Sequence, residues 1–301
     1  VNARILSGRP VAEAILARLA NVMEELHRQG QDRQLLIVTA TPDPSSASYV
    51  RALQRFGAKV GVTVTVADLG PEASAARIRS VLETASADDA IHGIIMQTPL
   101  PDGITLAGLG SAIAVEKDVD GANPASLARL LAQEPCFPPA TAAAVIELLD
   151  HHGIALAGRK ATVVGRSLVV GKPLLHLLLN RDATVTIAHS KSVDLPGQTA
   201  GSAIVVAAAG RAGLIGPEHV GPGSVVIDVG TNYDDTGALV GDVQADAVGA
   251  VAAAMSRVPG GVGTITTALL FRNTVQGLPA EAGPAVPHRA KAALQGACPP
   301  G

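Results

Sequence analysis

Short apolar stretches alternate with amphipathic ones along most of this chain, and that alternation limits the fold more than any other feature. QLLIVTAT (34–41) has the pattern of a buried strand. Pro42–Ser48 then reads as a turn able to cap a helix over 46–57, with Gly57 as its end. VTVTVADL (62–69) is a second strand, 73–86 a helix, and HGIIMQTPLP (92–101) a third strand. Ahead of them, a helix over 11–29 sets Val11, Ala14, Ile15, Leu19, Val22 and Leu26 near one face. Strand and helix at this spacing imply crossover connections and a parallel sheet.

CFPPAT (136–141) interrupts the pattern, and a helix over 142–152 bridges to the second half. There Gly158–Gly171 is a strand followed by a glycine-rich turn. Strands follow at 183–190, 202–210 and 223–230, the pattern of a nucleotide-binding unit. RVPGGVGTIT (257–266) is a stiff Gly/Pro loop entering a helix over 266–276, and a Pro/Ala/Gly-rich tail reads as a loosely held extension.

Composition narrows the function classes. Of 301 residues 48% are hydrophobic but only 2% aromatic, with no Trp, so Ala, Val, Leu and Ile must build the core. A net charge of -3 gives no basic surface for nucleic acid or anionic lipid. Cys136 and Cys298 lack CxxC spacing, and His92, His189 and His151–His152 lack metal-ligand spacing, so neither a disulfide framework nor a metal is expected. The first residues lack a signal-peptide order, and no apolar run reaches the roughly 18 residues of a membrane span. A soluble cytoplasmic protein is the expectation.

ATVVGRSLVVGKP (161–173) places Gly165, Ser167 and Gly171 between a strand and a helix start. Such a turn lets backbone approach a pyrophosphate at a helix N-terminus. The string is not G-x-G-x-x-G, so a plain structural turn is an equal alternative. The next strand ends in His189-Ser190-Lys191, without the acid that holds an NAD ribose. Arg166 and Ser190 instead suit a 2′-phosphate and favour NADP over NAD, unless both are ordinary solvated loop residues.

Several strings converge in order: DPSSASYV (43–50), GIIMQTPLP (93–101), KDVDG (117–121), VVGRSLVVGKP (163–173), HSKS (189–192), VVIDVG (225–230), VGDV (240–243) and VPGGVGTIT (258–266). On these the chain resembles the bifunctional methylenetetrahydrofolate dehydrogenase / methenyltetrahydrofolate cyclohydrolase family. The resemblance implies two α/β domains flanking a cleft: residues 1–140 for a one-carbon tetrahydrofolate derivative, and a Rossmann-like 141–265 for NADP. A C-terminal helix, about 266–285, would pack back on the first domain, and the chain would form a homodimer. By motif position, Tyr49, Gln97 and Asp120 would be catalytic and would contact the pterin, together with Pro259, Gly260 and Gly261, with Val262 in the same loop. Gly165, Arg166, Ser167, Gly171, Ser190 and Thr231 would hold the cofactor. Taken singly, Asp120 reads equally as a turn or helix-capping acid, Gln97 as a strand-end residue, and Tyr49 as half-buried core.

One departure bears on chemistry. The family carries a lysine four residues after its tyrosine, on the same helix face. Here that position is Leu53. The lysine is tied mainly to the water-adding cyclohydrolase step, and leucine can neither titrate nor hydrogen-bond. Arg51 and Arg55 sit at nearly opposite helical phases, and Lys59 lies past Gly57. The expectation is a dehydrogenase whose cyclohydrolase is weak or lost, with Leu53 as an apolar wall. Pro139-Ala140-Thr141-Ala142, Ser126-Leu127-Ala128 and Gly263-Thr264-Ile265-Thr266 are further departures, from drift or from a reshaped pocket. A fully bifunctional enzyme, a paralogue with a modified one-carbon substrate, and a non-catalytic binder are the competing readings.

Overall fold

A computed structural model describes residues 2–278. The tail read as an extension, and the last residues of the helix expected over 266–285, lie outside the described residues. The first half runs β1 (Arg4–Ile5), α1 (Arg9–Arg28), β2 (Gln34–Thr39), α2 (Pro44–Val60), β3 (Thr63–Asp68), α3 (Ala75–Ala87) and β4 (Gly93–Met96). Helices α4 (Leu106–Gly110), α5 (Pro124–Ala132) and α6 (Ala140–His151) follow. The second half holds β5 (Lys160–Val164), α7 (Gly171–Leu179), β6 (Thr184–Ala188), α8 (Leu195–Thr199), β7 (Ile204–Ala207) and β8 (Val225–Asp228). It closes with β9 (Asn232–Tyr233), β10 (Leu239–Val240), α9 (Ala245–Gly249), β11 (Ala254–Met255) and α10 (Val262–Gln276).

Two parallel sheets result, as the alternation requires. One has the order β3-β2-β4, the other β1-β11-β8-β7-β5-β6, and β9 and β10 form a separate antiparallel hairpin. Strand β1 comes first in the chain yet pairs with β11 at the edge of the second sheet. Helix α10 packs on α1 and α6 and reaches β2, tying the two halves together. A single apolar cluster accordingly runs from Leu19, Leu35 and Leu53 through Leu148 and Phe271 to Val163 and Val206.

Helix α2 shows how sequence sets one of these elements. Asp43 caps it by accepting from Ser45 N, Pro44 opens its first turn, and Ser46, Val50, Leu53, Gly57 and Val60 form its buried stripe. Gly57 does not end the helix as expected; Gly61, at φ 77°, does. Gly57 serves packing instead. A Cβ there would lie 2.4 Å from Val64 Cγ2 and 2.8 Å from Val62 O, so its absence lets α2 settle on β3. Strand β4 is shorter than the expected 92–101: it ends at Met96, and Gln97 N makes the last hydrogen bond to β2. Helix α10 starts at Val262, four residues ahead of the expected 266.

Candidate active site

A cavity of about 930 Å³ lies between the two sheets. Tyr49, Met96, Gln97, Thr98 and Asp120 line it from the first half, and Val169, Val170, the stretch Asp228–Thr231 and the loop Arg257–Gly261 from the second. All the residues expected to face a pterin, and Thr231 from the cofactor set, are therefore lining residues of one space.

The wall from the first half is built at the C-terminal end of β4, where open α/β sheets bind ligands. Gln97 N donates to Val38 O at 2.9 Å and continues the sheet by one residue. Its side chain is steered by Nε2 donation to Ser46 Oγ at 3.1 Å and Thr98 O at 2.9 Å. Tyr49 stands on α2 one turn before Leu53, with Thr267 beside its hydroxyl; burial and the charge of Asp120 raise its pKa.

In the KDVDG turn the two acids take separate jobs. Asp118 is fully buried and accepts from Ala122 N (2.7 Å), Asn123 N (2.8 Å) and Ser126 Oγ (2.6 Å). Asn123 caps α5. The capping role that competed for Asp120 thus belongs to its neighbours, and the Ser126 departure serves Asp118, not the cavity. Among the described residues the Asp120 carboxylate has no hydrogen-bond donor. Burial, and secondarily the charge of Asp118, push Asp120 up to about 7; burial brings Asp118 to about 6.

Leu53 is fully buried and does not line the cavity. The expected apolar wall at this position is therefore corrected: Leu53 belongs to the core stripe of α2, one turn from the lining residue Tyr49. Arg51, Arg55 and Lys59 are exposed. The only titratable lining residues are Tyr49, Asp120, Asp228 and Arg257, so the described cavity wall offers neither lysine nor histidine.

The second-half wall combines a glycine turn with loops at the ends of β8 and β11. Gly165 has φ 135°, and a Cβ on it would meet Ala208 O at 2.0 Å; one on Gly171 would meet Gly165 O at 2.1 Å. Only glycine closes this turn, which leads into α7 and is held by Ser167 Oγ accepting from Val170 N. Such a turn fits a pyrophosphate. Gly165 N donates to Ala188 O, which brings exposed Arg166 and exposed Ser190 to adjacent strand ends, beside the cavity and not on its wall. Loop 257–261 contains a second cis bond, Val258–Pro259, and is braced by Gly8 N donating to Gly260 O.

The sequence reading gave no role to Asp228 and Asp242, although VVIDVG and VGDV stood out as strings. Asp228 is buried and raised to about 6 by that burial; Asp242 is fully buried. For Asp228 the available signal was an acid directly following a run of buried apolar residues; Asp242, after Gly241, carried none of that kind. Among the described residues no helix is long and apolar enough to cross a membrane, and no group of three or more side chains could hold a metal.

Comparison with known proteins agrees with this architecture. Residues 6–120 match the tetrahydrofolate dehydrogenase/cyclohydrolase catalytic domain, and residues 139–281 its NAD(P)-binding domain. A relative described as bifunctional protein FolD 1, from Saccharopolyspora erythraea, is 50% identical over 91% of this chain and 93% of its own length. The bifunctional methylenetetrahydrofolate dehydrogenase/cyclohydrolase of Campylobacter jejuni superposes with a TM-score of 0.89 at 32% identity, over 91% of this chain and 98% of that one. The Trypanosoma brucei enzyme, solved with NADP and an inhibitor, gives 0.86 at 34% identity, over 91% and 97%. The two parallel sheets, the cavity between them and this similarity along nine tenths of the sequence lead to one conclusion: the chain belongs to the tetrahydrofolate dehydrogenase/cyclohydrolase family of enzymes.

Proposed function

We propose that this chain oxidises 5,10-methylenetetrahydrofolate to 5,10-methenyltetrahydrofolate with NADP, and that its water-adding step is weak or lost. In this reading residues 1–140 form the folate side, residues 141–265 the cofactor side, and α10 returns to the first. The observation that carries it is the chemistry of the cavity lining. A carboxylate, an amide and a phenol stand on one wall, backbone glycines face them, and neither lysine nor histidine is among the lining residues.

Asp120 would accept the neighbouring N–H donors of the pterin edge, which supply the partners its carboxylate lacks. Tyr49 would lie along the ring and Gln97, fixed by Ser46 and Thr98, would face the reacting carbon. When bound, NADP accepts the hydride that leaves this carbon. The pyrophosphate would seat in the Gly165–Gly171 turn, and Arg166 and Ser190 would take the 2′-phosphate, as the NADP of the Trypanosoma brucei relative makes reasonable. Loop Pro259–Gly261 would keep the two ligands in register. Alignment of this kind accounts for much of hydride transfer and needs no protein base.

Water addition differs, because a proton must be managed, and losing a positioned acid-base group typically costs about 10²–10⁴ in rate. Leu53 supplies no such group. The names of the relatives favour a second reading, in which both steps persist. Asp120, near 7, is then the cavity group best placed to move the proton. The reading also includes a homodimer through the cofactor half, checked by sedimentation.

Purified protein with NADP and methylenetetrahydrofolate should build up methenyl absorbance, and added methenyl substrate should decay little faster than in buffer. Leu53→Lys should speed that decay, since a lysine stem can lie in the core while its amine reaches the cavity beside Tyr49. Wild-type decay as fast as the chain's own dehydrogenation establishes the second reading instead.

A further inference from the structure

Two buried acids outside the expected ligand-contacting set tie together the loops that follow β7, β8 and β10 and reach the start of the loop after β11. Asp242 Oδ2 accepts from Ala209 N (2.6 Å) and Gly210 N (2.9 Å), and Oδ1 accepts from Arg211 N (2.8 Å) and Asn232 Nδ2 (2.9 Å). Its own N–H donates to Asp228 Oδ1 at 2.9 Å. Asp228 Oδ1 also accepts from Gly230 N (2.9 Å), and Oδ2 from Val243 N (3.1 Å). Asp228 N in turn donates to Ser256 Oγ at 2.8 Å, next to lining residue Arg257. The ends of β7, β8, β10 and β11 thus hang on one hydrogen-bonded unit.

The position of this unit decides what it governs. Strands β7 and β8 lie between β5, which carries the phosphate turn, and β11, which carries the Pro259 loop. The loops held by Asp242 therefore stand midway between the pyrophosphate end and the substrate loop, where the nicotinamide must lie for hydride transfer. The glycine turn itself receives nothing from Asp242.

We propose that Asp242 is a positioning residue for the dehydrogenation: by fixing loops 209–211 and 230–232 it sets the nicotinamide against the reacting carbon, and contributes little to cofactor affinity. The proposal rests on the reading of the second half as an NADP site. Asp242 touches neither ligand in this scheme. It has four donors to satisfy, and an amide in its place would set an NH2 group against backbone N–H groups on one side. One of the two loops must then move. A displacement of about 1 Å near the reacting atoms can cost about 10² in rate.

Asp242→Asn should accordingly lower kcat per folded molecule about 10- to 100-fold, with the NADP KM moving less than about threefold. With substrate deuterated at the methylene carbon, the isotope effect on kcat should rise, because misalignment makes hydride transfer the slow step. Asn232→Ala removes one donor only, is expected to fold where the first variant does not, and should show the same split in milder form. NADPH fluorescence gives cofactor binding directly. Unchanged kcat and isotope effect in Asn232→Ala and in any folded Asp242→Asn overturn the proposal, as does a loss confined to NADP affinity. If the wild type binds no NADPH, the cofactor reading itself fails, and the proposal with it.

Discussion

Replacing Asp120 by asparagine should stabilise the ligand-free protein while removing its activity. The carboxyl lies half-buried beside Asp118, has no donor among the described residues, and is raised from 3.8 to about 7. A folded pKa above the unfolded one means that stability is complete below about 3.8, falls as pH rises toward 7, and is constant above. At 1.36 kcal/mol per pH unit, the ceiling on the cost of the ionised carboxyl is about 4 kcal/mol. Cavity water reduces this, and about 2 kcal/mol is the expected gain for the amide at pH 8, or about 4–8 °C in Tm. At pH 4 the gain should shrink to about 0.5 kcal/mol or less, because the folded acid is then protonated and the unfolded one, at 3.8, is only about half ionised. Thermal unfolding of both proteins at the two pH values reads this directly. An equal gain at both, or none at pH 8, refutes the reasoning. Turnover should fall about 10² or more, since the amide sets a donor against one of the two pterin N–H groups, and hydrogen bonds to charged groups contribute about 1.5–3 kcal/mol each.

The same acid predicts that wild-type kcat/KM for the folate substrate declines about tenfold per pH unit below about 7, as the carboxylate that accepts the pterin is protonated; a profile flat to pH 5 contradicts it. Arg166→Ala should raise the KM for NADP about tenfold or more and leave that for NAD unchanged, because only the 2′-phosphate needs the cation; parallel assays with the two cofactors decide this. Gly57→Ala should destabilise by about 1–2 kcal/mol in urea unfolding, the clash with Val64 and Val62 outweighing the better helix propensity of alanine.

The principal elements were legible because burial writes itself into the sequence, as an apolar stripe in the helices and as continuous apolar runs in strands such as β4, β7 and β8, which are buried at every position. What stayed illegible has no period. Strands β1, β9, β10 and β11 are two residues each, too short to show one; β9 and β10 form a local hairpin, while β1 and β11 owe their existence to partners far along the chain, as Arg4 opposite Ala254 shows. Gly57 illustrates a second limit. A glycine near the end of an apolar stripe signals termination locally, yet here the neighbouring strand β3 demands the missing side chain and the helix runs on to Gly61. Propensity weighs the chain against itself, and packing weighs it against distant residues.

The same distinction separates the acids of the site. Asp118 and Asp120 sit two residues apart in KDVDG, and nothing local says which one serves the turn. Helix α5 decides it, because its start presents Ala122 N, Asn123 N and Ser126 Oγ to Asp118. Asp228 and Asp242 are likewise absorbed, by three and four N–H donors. A buried carboxylate left without donors is costly, so a fold that satisfies three such acids and leaves the fourth open to a cavity must recover that cost elsewhere. In the function proposed above, Asp120 recovers it when the pterin brings N–H groups to it. Which wall receives the donor-bearing ligand thus follows from counting the donors the protein keeps for itself.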